Sequence, residues 1–173
     1  MQEERIAIFI DGSNFYHGLK ALFGSAKIDF VKLAEKLCAG RKLIRTYYYN
    51  VPVNRADGEE RYRRQQGFFA KLHGTPYMEV KLGRLVRRGG TMIEKGVDVK
   101  LAVDMLNMAF TNIYDTAIVV SGDGDFDSAI YGAKNMGKHV ENAYFSSGHA
   151  DQLKKACDKF ILLDELVKDC FVK

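Results

Sequence analysis

Apolar residues fall in short runs rich in β-branched and aromatic side chains: "IAIFI" at 6–10, "LIRTYYYNV" at 43–51, "TAIVV" at 116–120, "HVENAYF" at 139–145 and "FILL" at 160–163. Runs of this length and composition predict strands. Between them, apolar positions recur at helical spacing over 14–22, 29–38, 58–73, 97–110, 125–136 and 149–157. Alternation of strand and helix predicts an α/β fold, three-layered and Rossmann-like, with a mostly parallel central sheet. The segment 77–96, "YMEVKLGRLVRRGGTMIEKG", breaks that rhythm. It reads as a strand followed by a small β-hairpin excursion, with "RRGG" as the turn and arginines at its tip. No repeat, low-complexity tract or linker interrupts the chain, so residues 1–173 are expected to form a single domain.

Composition narrows this picture little. Hydrophobic residues at 47% and charged residues at 28% are globular values, which exclude a disordered or fibrous chain. A net charge of +4 permits a polyanionic partner without the strongly basic composition of a dedicated nucleic-acid binder. Cys38, Cys157 and Cys170 are odd in number and far apart, with no C-x-x-C pair, and read as reduced thiols. The charges of "MQEERIAIFI" precede an apolar run too short for a signal peptide, and no stretch reaches membrane-span length. A soluble cytoplasmic protein with no membrane partner is expected.

The chemistry gathers at strand ends, where ligands of open parallel sheets bind. "IAIFI" runs into Asp11-Gly12-Ser13-Asn14, and "TAIVV" into Ser121-Gly122-Asp123-Gly124-Asp125. If these two strands are neighbours, their carboxylates converge. On a helix from about 97, Val97, Leu101, Met105 and Met108 form an apolar stripe flanked by Asp98 and Asp104. Asp98 lies in the first turn, whereas Asp104 is about 9 Å further along the axis. Asp98 is therefore the third acid expected at the strand ends, and Asp104 a hydrogen-bonded edge residue.

Carboxylates so crowded raise one another's pKa unless a cation compensates them. Oxygen donors without nearby histidine or cysteine suit a hard divalent ion, Mg²⁺ or Mn²⁺, rather than zinc. Phosphoryl chemistry is the natural use of such a site. Gly12, Gly122 and Gly124 are expected to leave room for backbone or substrate near the acids.

Structural roles compete for each acid. Asp11 suits a turn, with Ser13 or Asn14 capping the following helix. Asp98 suits an N-cap, although Leu101 stands where a capping box has Glu or Gln. Asp123 and Asp125 suit a loop before a helix, and Asp127 a partner of its dipole. Other motifs fail. An EF-hand loop starting at Asp123 would have Ser128 where it needs glycine and Lys134 where it needs glutamate. "GDGDFD" lacks the third glycine of a dinucleotide fingerprint. A haloacid-dehalogenase-type phosphatase needs a second Asp where Ser13 stands.

"IAIFIDGSNFY", "EKGVDVKLAVDML" and "TAIVVSGDGDFDSAIYGAKNMGKHV", in this order, resemble the NYN family in its LabA-like branch, a member of the PIN-like nuclease superfamily. The resemblance spans residue 6 to about 163. It implies a PIN-like fold and a Mg²⁺- or Mn²⁺-dependent ribonuclease acting on single-stranded or structured RNA. On that basis Asp11, Asp98, Asp123 and Asp125 are the metal acids, with Asn14 and Ser121 beside them as catalytic companions. At the position of Asp127 the family pattern often has a small or helix-starting residue, so no metal role is carried over to it.

Arg84, Arg87 and Arg88 on the hairpin, with Lys95 before Asp98, are expected to contact RNA phosphates, as are Arg61 and Arg64 on the helix 58–73, where Lys71 shares their face. Tyr47, Tyr48 and Tyr49 are expected in the core. Of the histidines, His17 lies close to the first motif. Apolar residues in "DELVKDCFVK" offer a surface for a homodimer. The alternative reading is a non-catalytic RNA-binding or regulatory adaptor on the same fold.

Overall fold

The computed structural model describes residues 2–173. The chain begins β1 (Arg5–Asp11), α1 (Gly12–Phe23), α2 (Phe30–Cys38), β2 (Lys42–Asn50), α3 (Glu59–His73) and β3 (Met78–Leu82). It continues β4 (Arg84–Arg88), β5 (Thr91–Lys95), α4 (Val97–Phe110), β6 (Thr116–Val120) and α5 (Asp127–Asn135). It closes with β7 (His139–Tyr144), α6 (Asp151–Ala156), β8 (Lys159–Leu162) and α7 (Leu163–Leu166). Six strands form one sheet in the order β3-β2-β1-β6-β7-β8, with every neighbouring pair parallel. The expected α/β architecture and hairpin are both present. β4 and β5 pair antiparallel around Gly89 and Gly90, whose φ values of 56° and 84° suit the tight turn that matches strand twist.

The burial of the strands follows from this order. β1 and β6 are central, and from Ile6 to Val120 their apolar residues are buried, as strands covered on both faces require. Side chains alternate across β1. Ile6, Ile8 and Ile10 join the layer that holds Phe15 and Leu19 of α1, Leu33 and Leu37 of α2, and Phe69 of α3. Ala7 and Phe9 join the layer of Leu101 and Met105 from α4 and Ile130 from α5. Asp11 continues the odd-numbered face, the one that α4 covers. Tyr47, Tyr48 and Tyr49 are all buried, as the core reading expects.

Several boundaries shift for local reasons. α1 starts at Gly12, ahead of residue 14, because its cap is Asp11 rather than Ser13 or Asn14: the Asp11 carboxylate accepts the Asn14 N–H at 3.2 Å. The helix expected over 125–136 is split. Asp123 caps a 3-10 turn at Gly124–Phe126, and α5 starts only at Asp127. Residues 163–170 form α7 and a 3-10 turn, Lys168–Cys170. Leu163, Val167 and Cys170 there are buried in the core cluster with residues of α1 and α2; of the other apolar residues in 164–173, Leu166 and Phe171 are partly buried against that cluster and Val172 is exposed. All three cysteines are free, and burial pushes the Cys38 thiol up to about 11.

Candidate metal centre

The order of strands reverses between β1 and β6, the switch point where open α/β sheets bind ligands. Ile10 pairs with Val120, so the chain leaves the two strands side by side at Asp11 and Ser121. Ser121 Oγ lies 3.2 Å from Asp11 Oδ2 and 3.4 Å from Asn14 Oδ1, and it accepts the Asp123 N–H at 3.1 Å. Asn14 Oδ1 accepts the Gly122 N–H at 2.7 Å. These bonds lock the start of α1 to the loop after β6.

The third element arrives from the hairpin. Gly96, at φ 89°, turns the chain from β5 into α4 without a side-chain cap, so Asp98 lies within the first helical turn rather than capping it. Carboxylate oxygens of Asp11, Asp98 and Asp123 then lie within 4.8 Å of one another. Asp11 is 6% exposed, Asp123 is half-buried and Asp98 faces solvent. The three acids line a cleft of about 280 Å³ that they share with Asn14, His17, Asn50, Lys95 and Tyr144.

Electrostatics in the cleft favour a cation. Burial raises the Asp11 pKa to about 6, and the charges of Asp98 and Asp123 push the same way. The Asn14 N–H and the Ser121 hydroxyl oppose them by bonding the charged form. Two of the acids are helix caps as well: Asp11 for α1, and Asp123 for the turn in which the Asp125 N–H reaches Asp123 Oδ1 at 3.0 Å. For these residues the structural and chemical readings hold together.

Glycines close this region. A Cβ on Gly12 would lie 2.4 Å from the Tyr48 ring, and one on Gly122 would lie 2.3 Å from the Gly148 carbonyl oxygen. The room that these glycines leave is filled by the chain itself.

The structure does not bring every expected residue together. Asp125 is exposed in the 3-10 turn and stands outside the three-carboxylate group. Asp104 is hydrogen-bonded at the edge, accepting from the Tyr49 hydroxyl at 2.9 Å. Asp127 accepts from Ser128 and from the Gln152 amide, which ties α5 to α6. Of the basic residues, Lys95 lines the cleft. Arg84, Arg87 and Arg88 are exposed along the hairpin, Arg61 is exposed on α3, and Arg64 pairs there with Glu60. His17 is exposed at the rim.

Two supporting residues escaped the sequence reading. Asn142, wholly buried in β7, donates through Nδ2 to the carbonyls of Val119 and Ser121 at 3.1 and 2.9 Å, fixing the end of β6. The Tyr144 hydroxyl donates to the Asn14 carbonyl at 2.8 Å. The signal for Asn142 was an amide inside an apolar strand, which must find a partner when buried.

An α/β domain of PIN-like fold with an acidic cluster at its switch point is the class defined here. The NYN domain family matches residues 5–164. The chain belongs to that family. It is 25% identical, over a 178-residue alignment covering 94% of this chain and 85% of the relative, to the low amplitude and bright protein LabA of Synechococcus elongatus. The crystal structure of VPA0982, a protein of unknown function from Vibrio parahaemolyticus, matches with a TM-score of 0.78 and 25% identity, covering 96% of this chain and 99% of that one. Family and acidic cluster together fit a metal-dependent nuclease. Among the described residues, no helix is long and apolar enough to cross a membrane.

Proposed function

We propose that this chain is a metal-dependent endoribonuclease that hydrolyses RNA phosphodiester bonds, with Asp11, Asp98 and Asp123 holding Mg²⁺ or Mn²⁺. The observation that carries this reading is the convergence of three carboxylates within 4.8 Å around a buried Asp11. A buried acid pushed up to about 6 by desolvation and like charges is a donor set short of positive charge, and its all-oxygen character suits a hard cation. When bound, such an ion neutralises charge on the phosphodiester and activates water for attack on phosphorus.

The chain's own residues supply the rest. Ser121 and Asn14 hold Asp11 and the Gly122–Asp123 peptide in place. Asp125 holds Asp123 through its peptide N–H, a positioning role in place of the ligand role expected from the resemblance. Lys95 at the cleft, with Arg84, Arg87 and Arg88 along the hairpin, meets the phosphate backbone, and Arg61 and Arg64 on α3 extend that contact. The setting is the cytoplasm, in keeping with three free cysteines.

The test is cleavage of labelled single-stranded and hairpin RNAs by the purified chain in Mn²⁺, Mg²⁺ or EDTA, beside Asp123→Asn. The expected result is cleavage that needs the metal and falls by about 100-fold or more in the variant, with unchanged circular dichroism. Equal rates for variant and parent would remove Asp123 from the mechanism. A folded, Mn²⁺-binding parent that holds RNA without cutting it would leave the adaptor reading in its place.

A further inference from the structure

α4 is apolar on two faces. Leu101, Met105 and Ala109 are buried against the sheet. On the opposite side Val99, Val103 and Phe110 are 67%, 47% and 80% exposed, and Leu106 stands between them at the edge of the stripe, half-buried with its side chain against Gly132 of α5. Spacings of four, three and four place these residues in one stripe, the pattern of a helix that packs on another helix. A second apolar stripe left in solvent, on a helix whose polar residues lie between its two apolar faces, marks a contact surface. Exposed Ile113 follows the helix, and Met136 lies just past α5, whose end is tied to that of α4 by the hydrogen bond from Lys138 to Asn112.

We propose that this face is the interface of a homodimer, in which two copies pack α4 against α4 antiparallel about a two-fold axis between Val103 and Leu106. In that arrangement Val99 of one copy meets Phe110 of the second, and Val103 meets Leu106. The stripe is then its own complement, as a two-fold interface demands.

No charged side chain lies within the stripe, so no like charges meet across the axis, and the flanking Lys100 is held by its own chain, its Nζ donating to the Leu82 carbonyl at 3.2 Å. The residues named expose on the order of 500 Å² per copy, so pairing removes roughly 1,000 Å², the size at which a specific interface begins. Phe110, with the greatest exposure of the stripe, is the anchor. The proposal does not depend on the nuclease reading.

Sedimentation equilibrium of the full chain between about 1 and about 100 µM tests it. The parent is expected at twice the mass of the chain. Phe110→Lys and Val103→Glu each raise the dimer dissociation constant by about 30-fold or more, while far-UV circular dichroism and the melting profile stay those of a folded monomer. Val172→Lys, which changes an exposed apolar residue elsewhere, leaves the dimer intact. If a variant loses structure, Phe110→Ser provides the same reading. A parent that is monomeric throughout, or a dimer that the folded stripe variants leave unchanged, would overturn the proposal and leave the face to another partner.

Discussion

Ser121 Oγ lies 3.2 Å from Asp11 Oδ2, joining two residues 110 positions apart, and the same oxygen accepts the Asp123 N–H. One buried hydroxyl therefore orients one acid of the cluster directly and the loop that carries another. Removing a partner that orients metal ligands typically costs 10–100-fold in affinity or activity. Ser121→Ala is expected to weaken Mn²⁺ binding by about 10-fold or more, at a stability cost of about 1 kcal/mol. Calorimetric titration with Mn²⁺ decides it, and an unchanged affinity would assign Ser121 to packing alone.

Asp11 makes the metal-free protein sensitive to pH. Unfolded, this carboxyl loses its proton near 3.9, whereas folded it keeps the proton to about 6. The folded state thus binds more protons across that window, so the stability from this group is present below about 4 and lost as pH rises through 6. The loss amounts to at most about 3 kcal/mol above pH 6. Asp11→Asn keeps a capping oxygen and removes the charge. In EDTA at neutral pH it is expected to melt at or above the parent's temperature while losing the stabilisation that Mg²⁺ or Mn²⁺ gives the parent. A lower melting temperature in EDTA would contradict the electrostatic account.

Gly122 and Gly67 make a matched pair. A methyl group on Gly122 would meet the Gly148 carbonyl at 2.3 Å, and the loop that carries Gly148 is held nearby by the bond from the Ala150 N–H to the Gly122 carbonyl. Gly122→Ala is expected to cost about 2 kcal/mol, a fall of roughly 4–8 °C in melting temperature. Gly67, within α3, has open space around its missing methyl, and Gly67→Ala is expected to stabilise by about 0.5–1 kcal/mol. Differential scanning calorimetry of the two variants reads both signs, and destabilisation by Gly67→Ala would refute the steric reasoning.

Arg84 and Lys95 face one another across the hairpin, and Lys95 lines the cleft. If the pair contacts phosphates, replacing either by alanine weakens RNA binding about equally for all sequences and lowers the salt dependence of log K by roughly 0.7. Fluorescence anisotropy with labelled RNA in EDTA, over a range of KCl concentrations, measures both. A slope unchanged in the double variant would move the RNA path away from the hairpin.

The alternation of apolar runs was enough to define the α/β layering, because strand and helix periodicities are local and each face must meet a neighbour. Helical pitch alone separated Asp98 from Asp104, and the structure places Asp98 with Asp11 and Asp123 while Asp104 bonds Tyr49. The glycine pair at the hairpin was legible for the same local reason.

Other features depended on partners far along the chain. The adjacency of Asp11 and Ser121 required β1 and β6 to pair, and only that pairing gave Ser121 and Asn14 their roles as struts. The family resemblance implied that Asp125 is a fourth metal acid beside Asp123. The 3-10 turn, which no periodicity announced, left its carboxylate in solvent and its N–H on Asp123. The apolar carboxyl-terminal residues could not be distinguished from one another by composition, yet Val167 and Cys170 join the core beside α1 and α2 while Val172 stays exposed. α4, by contrast, carries a second apolar stripe that its fold leaves exposed. Composition specifies that such residues must be buried, but which surface buries them is decided by the spatial order of strands and helices, a property of contacts between segments distant in the chain.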